Sequence, residues 1–353
     1  MKQSLRLPFA ILLILICASC TQLGYYAQAV QGQVGLLMDA RPIDSMLGDP
    51  AVAEKLKLKL ATVKEIRSFA SRELGLPDND SYKSYTQLSR PFVLWNVVAT
   101  PELSLKLEHW CFPVAGCVNY RGYYSKEDAE AFADNLRQQH FDVQVGGVTA
   151  YSTLGWFNDP VLSSFIHFPD AEMARLIFHE LAHQLVYVKD DSQFNESFAT
   201  AVEEAGVERW LAAHGDDKMR AKYVEFEGRK RDFLALLLKH RTLLKAVYAS
   251  DATDAQKRKE KAAIFQALTT EYQALKIQWG GYTGYDRWFA EPLSNAHLAA
   301  VATYHDLVPG FRALLAGKNL EKFYAAAREL AELDKKERHR RLGGTSPVDV
   351  AGE

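Results

Sequence analysis

Apolar residues recur with helical spacing in three stretches before residue 140. Residues 25–38 carry such a face and lead into Pro42, so we predict a helix that ends before the proline. The same spacing predicts a second helix over residues 50–74. A third helix is predicted over residues 125–139, with Ser125 as its N-cap.

Three shorter segments have the composition of β-strands. Residues 92–99 are rich in aromatic and β-branched side chains, and residues 118–120 continue this character. Residues 141–145 alternate between apolar and polar side chains, which is the period of a strand with one buried face. Together they predict a small mixed β unit in the middle of the chain.

After Pro169 the pattern becomes helical almost throughout. We predict one helix with Asp170 as its cap, a second capped by Asp191 or Ser192, and then two long charged helices that form a hairpin. The later helices are predicted over residues 218–249, 254–279 and 320–337. The fold class expected is therefore α+β and predominantly helical, with a disordered tail over residues 341–353.

Composition and charge narrow the range of functions. The chain has 353 residues, of which 24% are charged, and its formal net charge is −2. These are the values of an ordinary globular protein that is long enough to bury a sizeable core. No run of basic residues dominates, so nucleic acid is not an expected partner.

The first residues have the layout of an export signal. Lys2 and Arg6 precede an apolar run over residues 9–17, which is shorter than the roughly 20 residues that a transmembrane helix needs. We therefore predict that residues 1–19 are a signal peptide. A short membrane anchor that stays attached is the alternative.

The end of that run, Ala18-Ser19-Cys20, resembles a bacterial lipobox, with Cys17 where that motif usually has Leu. The resemblance implies that Cys20 carries lipid and anchors the protein to a membrane surface without a spanning helix. Since Thr21 rather than Asp follows the cysteine, bacterial sorting rules imply the periplasmic side of the outer membrane.

Two further cysteines, Cys111 and Cys117, lie six positions apart. In an oxidising compartment such a pair predicts a disulfide that closes a short loop. Two buried free thiols are an alternative. Zinc binding together with the nearby His109 is another, but no fourth ligand follows at a matching spacing.

The strongest chemical signal is the sequence His179-Glu180-Leu181-Ala182-His183 on a predicted helix. Two histidines four residues apart lie on one face of a helix, so both imidazoles can bind the same ion. Glu180 lies beside them and can accept a proton from a metal-activated water. The motif therefore predicts a zinc site with Glu180 as the general base.

A catalytic zinc site needs a third protein ligand and one open position. The predicted third ligand is Glu196, because the next helix begins close by in sequence with Asn195-Glu196-Ser197-Phe198-Ala199. Asp190 and Asp191 are rivals that lie in the connecting turn. Glu203, about two helical turns further on, is either an acceptor that orients a ligand histidine or a plain surface glutamate.

The two motifs together resemble the metal-binding helices of gluzincin peptidases, the group that includes thermolysin and aminopeptidase N. The resemblance implies a zincin-like catalytic domain over residues 20–340 that holds zinc through His179, His183 and Glu196. The gap between His183 and Glu196 is shorter here than in those enzymes, so a tighter connecting loop is expected.

A closer resemblance is to the predicted zinc-dependent aminopeptidase lipoproteins of Gram-negative bacteria, and it implies a membrane-anchored zinc aminopeptidase. Three groups of strings carry it: residues 24–33 with Ala40-Arg41-Pro42-Ile43, Trp110-Cys111-Phe112-Pro113 with Gly116-Cys117, and Asn295-Ala296-His297-Leu298 with Thr303-Tyr304-His305.

A peptidase also needs donors for the oxyanion of its tetrahedral intermediate, and we predict His297 and Tyr304 in this role. Structural hydrogen bonding in the core is the alternative for both residues. Residues 151–160 precede the metal helix and are either an edge that binds extended substrate or an aromatic turn of the core.

Two other functions stay open at this point. The protein could be a zinc hydrolase of cell-wall peptides, or an envelope assembly or binding factor that keeps a non-catalytic zinc. Whether cleavage is exo or endo does not follow from the sequence, because it shows no motif for a free amine of the kind that aminopeptidase N carries.

Overall fold

The computed structural model describes residues 24–112 and 116–343, without the side chains of residues 302–305. The predicted signal peptide over residues 1–19 and the predicted anchor Cys20 lie outside the described residues, as does most of the predicted tail. Within the described ranges the protein is α+β and predominantly helical, as predicted.

Twelve α-helices are found in the described ranges. Their bounds are α1 at residues 24–38, α2 Ile43–Gly48, α3 Glu54–Arg72, α4 Lys126–Gln138, α5 Asp170–Leu185, α6 Ser192–His214, α7 Asp217–Ala249, α8 Asp254–Gln278, α9 Asn295–His305, α10 Val308–Leu315, α11 Leu320–Ala331 and α12 Lys335–Arg341. In the same ranges, no helix is both long enough and apolar enough to cross a membrane.

Eight short strands form three small sheets in the described ranges. They are β1 Arg41–Pro42, β2 Ser84–Thr86, β3 Leu94–Pro101, β4 Trp110–Phe112, β5 Gly116–Val118, β6 Arg121–Tyr123, β7 Phe141–Val148 and β8 Val161–Leu162. The strand orders are β1-β2-β8, β6-β3-β7 and the hairpin β4-β5.

The sheet β6-β3-β7 is antiparallel and has two different faces. Trp95, Val97 and Ala99 of β3 point to one face, where they pack in a buried cluster with Ala129 and Ala133 of α4. Residues alternate along a strand, so the intervening residues of β3 point to the other face. That second face is turned toward the functional pocket described below.

The main core forms where α5 and α6 pack against each other and against α3. Gly206 of α6 permits this close approach, because a Cβ there would lie 2.7 Å from the ring of Phe178 and 2.8 Å from Leu74. The long pair α7 and α8 forms the predicted hairpin. Its interface contains Phe233 and Leu244 from α7 and Leu268 and Tyr272 from α8.

Several predicted helix ends are confirmed and others are wrong. Ser125 caps α4 by accepting from the Asp128 amide, and Asp191 caps α6 by accepting from the Phe194 amide. Asp170 is not a cap. It is the first residue of α5 and pairs with Lys59 at 2.8 Å, where its charge also suits the helix N-terminus.

The predicted helix over residues 320–337 is two helices. The break lies between Ala331 and Lys335, where Asp334 is the N-cap of α12 and its side chain accepts from the Glu337 amide.

The predicted start of the disordered tail is wrong. Arg341 is the last residue of α12 and Leu342 is buried in the core, while residues 344–353 lie outside the described residues.

Candidate metal centre and substrate pocket

The helix α5 brings the two predicted histidine ligands together. Its apolar neighbours Phe178, Leu181 and Ala182 are fully buried and fix the helix against the core. His179 and His183 therefore project from one face, with their rings nearly perpendicular and their Nε2 atoms 3.2 Å apart.

The connection from α5 to α6 consists of residues 186–191, which agrees with the tight loop expected from the sequence. Asn195 holds it, because its side-chain amide donates to the Val188 carbonyl at 2.8 Å and accepts from the Val188 amide at 2.7 Å. Asp190 turns the chain with φ +65°, in the left-handed region. This tight loop places Glu196, in the first turns of α6, beside the two histidines.

The three predicted ligands form one cluster. Glu196 Oε2 lies 3.3 Å from His179 Nε2 and 3.9 Å from His183 Nε2. Two ligand atoms at bonds of about 2.0–2.1 Å to a tetrahedral zinc lie ~3.3 Å apart. The spacings in the cluster are close to that value, so these side chains fit a zinc ion with little movement.

The hydrogen bonding around His179 supports the same conclusion. Its Nδ1 lies 2.8 Å from Glu203 Oε2, and an ionised carboxylate only accepts, so Nδ1 carries the proton. Burial would lower the pKa of His179, but hydrogen bonds to Glu196 and Glu203 raise it to about 10, so in the metal-free protein the ring is a cation that donates from both nitrogens. A metal ion bound between Nε2 and Glu196 would take the place of the Nε2 proton.

Glu203 is buried and contacts the candidate ligand His179, so of the two alternatives for this residue the structure shows the orienting acceptor. It also accepts from Arg175 at 3.2 Å and lies 3.5 Å from Lys230 Nζ. Burial alone would raise the pKa of Glu203, but the charges of Arg175, His179 and Lys230 outweigh it and hold the pKa far below its usual range. Glu203 is therefore an anion that fixes the His179 ring.

Burial sets the protonation of the other two residues of the motif. It lowers the pKa of His183 to about 4 despite the opposing charge of Glu196, so this ring is neutral, as metal binding requires. Burial raises the pKa of Glu180 to about 7, although a charged His179 acts against it. A carboxyl group with such a pKa can both accept and return a proton near neutral pH.

The rival ligands Asp190 and Asp191 have other partners. Asp190 Oδ1 accepts from the Cys117 amide at 2.5 Å, which joins this loop to the hairpin β4-β5. Asp191 is buried and accepts from Arg338 and His339 of α12, each at 2.9 Å. Both carboxylates therefore stabilise the loop around the site.

The cluster of the three candidate ligands opens into a cavity of about 440 Å³. Glu180 lies in its wall with the three candidate ligands, and the sheet, α1 and the hairpin β4-β5 supply the remaining walls. Aromatic side chains line much of it: Tyr25, Phe112, Tyr120, Tyr124, Tyr151 and Tyr187. No Lys or Arg is found among the described residues that line the cavity.

The structure does not bring His297 to this cavity. Its ring packs edge-on against Trp288, its Nδ1 accepts from the Ser294 amide at 3.1 Å, and it lines a different pocket with Phe233. Tyr304 belongs to α9, but its side chain lies outside the described residues. The role that we predicted for Tyr304 stays a prediction.

Sequence reasoning missed two tyrosines that do line the cavity, Tyr120 and Tyr187. Burial, with the nearby Glu196 carboxylate, raises the pKa of both, so both phenols stay protonated. Tyr187 lies only four residues after His183, but α5 ends at Leu185, so helical spacing does not fix where its side chain points. Tyr120 carries no comparable signal, because the turn between β5 and β6 decides its direction.

Residues 151–160 form an irregular segment and contribute no strand. Thr153 binds the buried Asp159 through its amide at 2.9 Å and its hydroxyl at 2.8 Å. Tyr151 bonds the Tyr124 hydroxyl at 2.6 Å and lines the cavity, whereas Trp156 at the turn is 70% exposed. The segment is therefore a wall of the cavity, and the predicted edge strand is absent from it.

The predicted disulfide between Cys111 and Cys117 is present and joins β4 to β5. Phe112 and Val118, beside the two cysteines, line the cavity, and Tyr25 of α1 stacks on Phe112 with ring centroids 5.6 Å apart. The disulfide thus stabilises one wall of the pocket.

Comparison with protein-family models matches residues 24–342 to the family described as "Putative aminopeptidase". The match covers almost all of the described chain and includes the three candidate ligands and the cavity. Neither the search of curated proteins nor the search of solved structures gave a match.

Proposed function

The chain belongs to this aminopeptidase family, and we propose that it is a zinc-dependent aminopeptidase with a zincin-like catalytic domain. The observation that carries the proposal is the cluster of His179, His183 and Glu196, whose ligand atoms all lie within 4.8 Å of one another. Glu180 shares the cavity with this cluster.

In this proposal His179, His183 and Glu196 hold the zinc ion. A bound zinc supplies a water of lowered pKa and polarises the substrate carbonyl. Glu180 takes the proton of that water on its carboxylate and later gives it to the leaving amine. Glu203 keeps His179 in one orientation and one tautomer, which prevents the ligand set from rearranging.

The phenols of Tyr120 and Tyr187 are the proposed donors to the oxyanion. Both line the cavity beside Glu196, and both stay protonated near neutral pH. A preorganised donor in a partly buried site stabilises the charge that develops in the transition state.

Two features favour an enzyme over a factor with a structural zinc. Structural zinc sites are closed by four protein ligands, whereas the described residues gather three. In addition, Glu180 lies beside the cluster without being part of it, which is the position of a proton acceptor.

The family match supports the aminopeptidase direction. A carboxypeptidase needs a cationic side chain for the terminal carboxylate of its substrate. The described residues that line the cavity include no Lys or Arg, whereas Arg175 and Lys230 line the adjoining pocket beside His179 and Glu180.

We also propose that Cys20 carries a lipid anchor in the cell envelope, on the periplasmic side of the outer membrane. At most about 14 Å of extended chain separates Cys20 from residue 24, where the described part of α1 begins. Residues 24–38 include no charged residue.

The outer face of α1 supports contact with a lipid surface. Tyr26, Val30, Val34 and Met38 form an exposed apolar stripe with a spacing of four residues, and Val30 and Met38 are 63% and 80% exposed. Cys20→Ser should release the protein from membranes, and mass spectrometry should find acyl groups on the parent. A parent that fractionates without membranes would refute the anchor.

The proposal as a whole is tested with purified parent protein and Glu180→Gln. We expect about one zinc per chain in both, and zinc-dependent hydrolysis of aminoacyl p-nitroanilides in the parent alone. Cell-wall peptides should be assayed in parallel, because preferential cleavage of those would change the substrate class. A parent with full zinc and no hydrolysis of any peptide would overturn the enzymatic function.

A further inference from the structure

A second pocket, which contains none of the candidate zinc ligands, lies between α7, α9 and the 3-10 helix Asp286–Phe289. Its volume is about 300 Å³. Most of the side chains that line it are aromatic or aliphatic: Phe233, Leu234, Leu237, Tyr285, Trp288 and Val301. Such a lining with few polar groups is typical of a site for an apolar group. It is called the aromatic pocket below.

The polar side chains of the aromatic pocket carry little free charge. Burial lowers the pKa of His297 to about 4, so its ring is neutral, and its Nδ1 accepts from the Ser294 amide, which leaves the proton on Nε2. The charge of Lys230 is shared between Glu203 and Glu227, each 3.5 Å from its Nζ. The pocket therefore suits a neutral apolar group better than an ion.

The face of the sheet joins the aromatic pocket to the cavity beside the candidate ligands. Val148 of β7 lines that cavity, and Gln144 of the same strand lines the aromatic pocket. Every second residue of a strand shares a face, so Gly146 lies between them on this face. A Cβ at Gly146 would meet no atom within 4 Å, so nothing covers the sheet there. Glycine inside a strand often marks the close approach of a ligand.

Lys230 of α7 supplies a second connection. A smaller pocket of about 280 Å³ adjoins His179 and Glu180, and Lys230 lines both this pocket and the aromatic pocket. The Nζ atom of Lys230 lies 3.5 Å from Glu203, which in turn binds His179. The aromatic pocket therefore begins only two contacts away from a candidate ligand.

We propose that the aromatic pocket is a subsite for a large apolar side chain of the peptide substrate, on the part of the chain that follows the scissile bond. This inference rests on the proposed function and assigns a substrate class to it. An aminopeptidase has one substrate residue before the scissile bond, so a pocket away from the ligands takes a later residue. The substrate backbone reaches this pocket by passing over Gly146.

The length of strand between the two pockets sets the position of that side chain. From Val148 to Gln144 the strand advances about 13 Å, at roughly 3.3 Å per residue. An extended substrate covers the same distance with roughly four residues. We therefore expect a preference for oligopeptides that carry a large apolar residue roughly four positions after the scissile bond.

The experiment uses peptides that share one N-terminal sequence and contain only small neutral residues after it. A single Phe is placed in turn at each later position, and the peptide without Phe is the reference. The parent is compared with Ala300→Phe, because Ala300 is a half-buried residue that lines the aromatic pocket and an added ring would fill it. Ala235→Phe makes the same change at an exposed position of α7 outside the described lining and is the matched control.

We expect Phe at the favoured position to raise kcat/KM of the parent about tenfold over the reference peptide, as the burial of a large apolar side chain should. Ala300→Phe should remove this preference and Ala235→Phe should keep it. Ala300→Glu is a second variant, which places a carboxylate in the pocket and should also remove it. An active parent without a preference at any position would overturn the inference while leaving the peptidase function intact. A preference that both Ala300 variants keep would overturn it too.

A binding measurement separates the inference from turnover. In the Glu180→Gln background, calorimetry should show tighter binding of the favoured Phe peptide than of the reference, and Ala300→Phe should abolish the difference. If the parent hydrolyses no peptide but this difference is found, the proposed function fails and the subsite stands. If the two peptides bind equally well, the inference is wrong.

Discussion

Two walls of the same cavity differ in what holds their polar side chains. The wall formed by α5 and α6 carries the proposed zinc ligands and is called the metal wall below. In it, Glu203 binds His179 and Arg175, and Asn195 binds both polar groups of Val188, while the buried Nδ1 of His183 has no partner in the described residues. The sheet wall, formed by β3, β6 and β7, contributes Gly122 and Asn96 to the cavity.

This difference separates two tasks. Metal ligands must be held in one geometry before the ion arrives, so their supporting hydrogen bonds come from the protein itself. A wall that receives a substrate must leave polar groups and space for the substrate to fill, at a cost in the stability of the free protein. Substitutions of the proposed ligands and of the residues that orient them should therefore change zinc binding, and substitutions in the sheet wall should change KM with zinc binding intact.

The largest effect is expected from the double variant His179→Ala with His183→Ala. Two of the three ligands are then missing, so zinc should be lost and peptidase activity should fall to background. Elemental analysis and turnover assays measure both. His167→Ala, at an exposed histidine before α5, is the control and should keep zinc. Full zinc in the double variant would show that His179 and His183 are not zinc ligands.

Glu180→Gln should keep zinc and the fold but lower kcat about 100- to 10,000-fold, the usual contribution of a general base. The amide cannot accept the proton of the attacking water. Zinc content and melting temperature should match those of the parent. Turnover close to that of the parent would mean that another group is the base.

Glu203→Gln should weaken zinc binding about 10- to 100-fold, because the carboxylate that orients His179 is replaced by a neutral amide. The neighbouring Glu204→Gln is the control. Glu204 pairs with Arg312 near the surface, so its loss should leave the zinc affinity unchanged. Equal zinc affinities in Glu203→Gln and the parent, measured by competition with a chelator, would show that this carboxylate only neutralises Arg175.

Gly146→Val tests the sheet wall. The new side chain has room in the free protein, so stability should not fall, but it occupies space next to Asn96 and should raise KM about tenfold. Zinc content should stay at the parent value. Gly228→Val, on α7 and also free of neighbours within 4 Å, serves as the control for activity. An unchanged KM would place the substrate elsewhere in the cavity.

The smallest effect on catalysis is expected when Cys111 and Cys117 are both replaced by Ser. Opening this short loop should lower the free energy of unfolding by about 2 kcal/mol. Zinc content should not change, because the hairpin supplies no ligand. Denaturant unfolding and zinc analysis check the two parts, and loss of zinc would show that the hairpin supports the metal wall through Asp190.

The clustering of His179, His183 and Glu196 was predictable because its signals are local. His179 and His183 are one helical turn apart, Glu196 follows within a short loop, and Asp191 was expected to cap α6. The disulfide was predictable for the same reason. His297 was chosen from a distinctive string, but its neighbour Ser294 and the ring of Trp288 hold it in another pocket.

The amino-acid sequence by itself determined the helical character of the second half and predicted the proposed ligand set and base, since each depends on spacings shorter than a few helical turns. Only the tertiary structure decided which residues face the ligands across the cavity. Asn96, Gly122 and Gly146 are brought into one row by strand pairing, and the pairing partners are up to 50 residues apart. Register over such separations is set by the packing of the whole sheet on α4, and no local pattern encodes it.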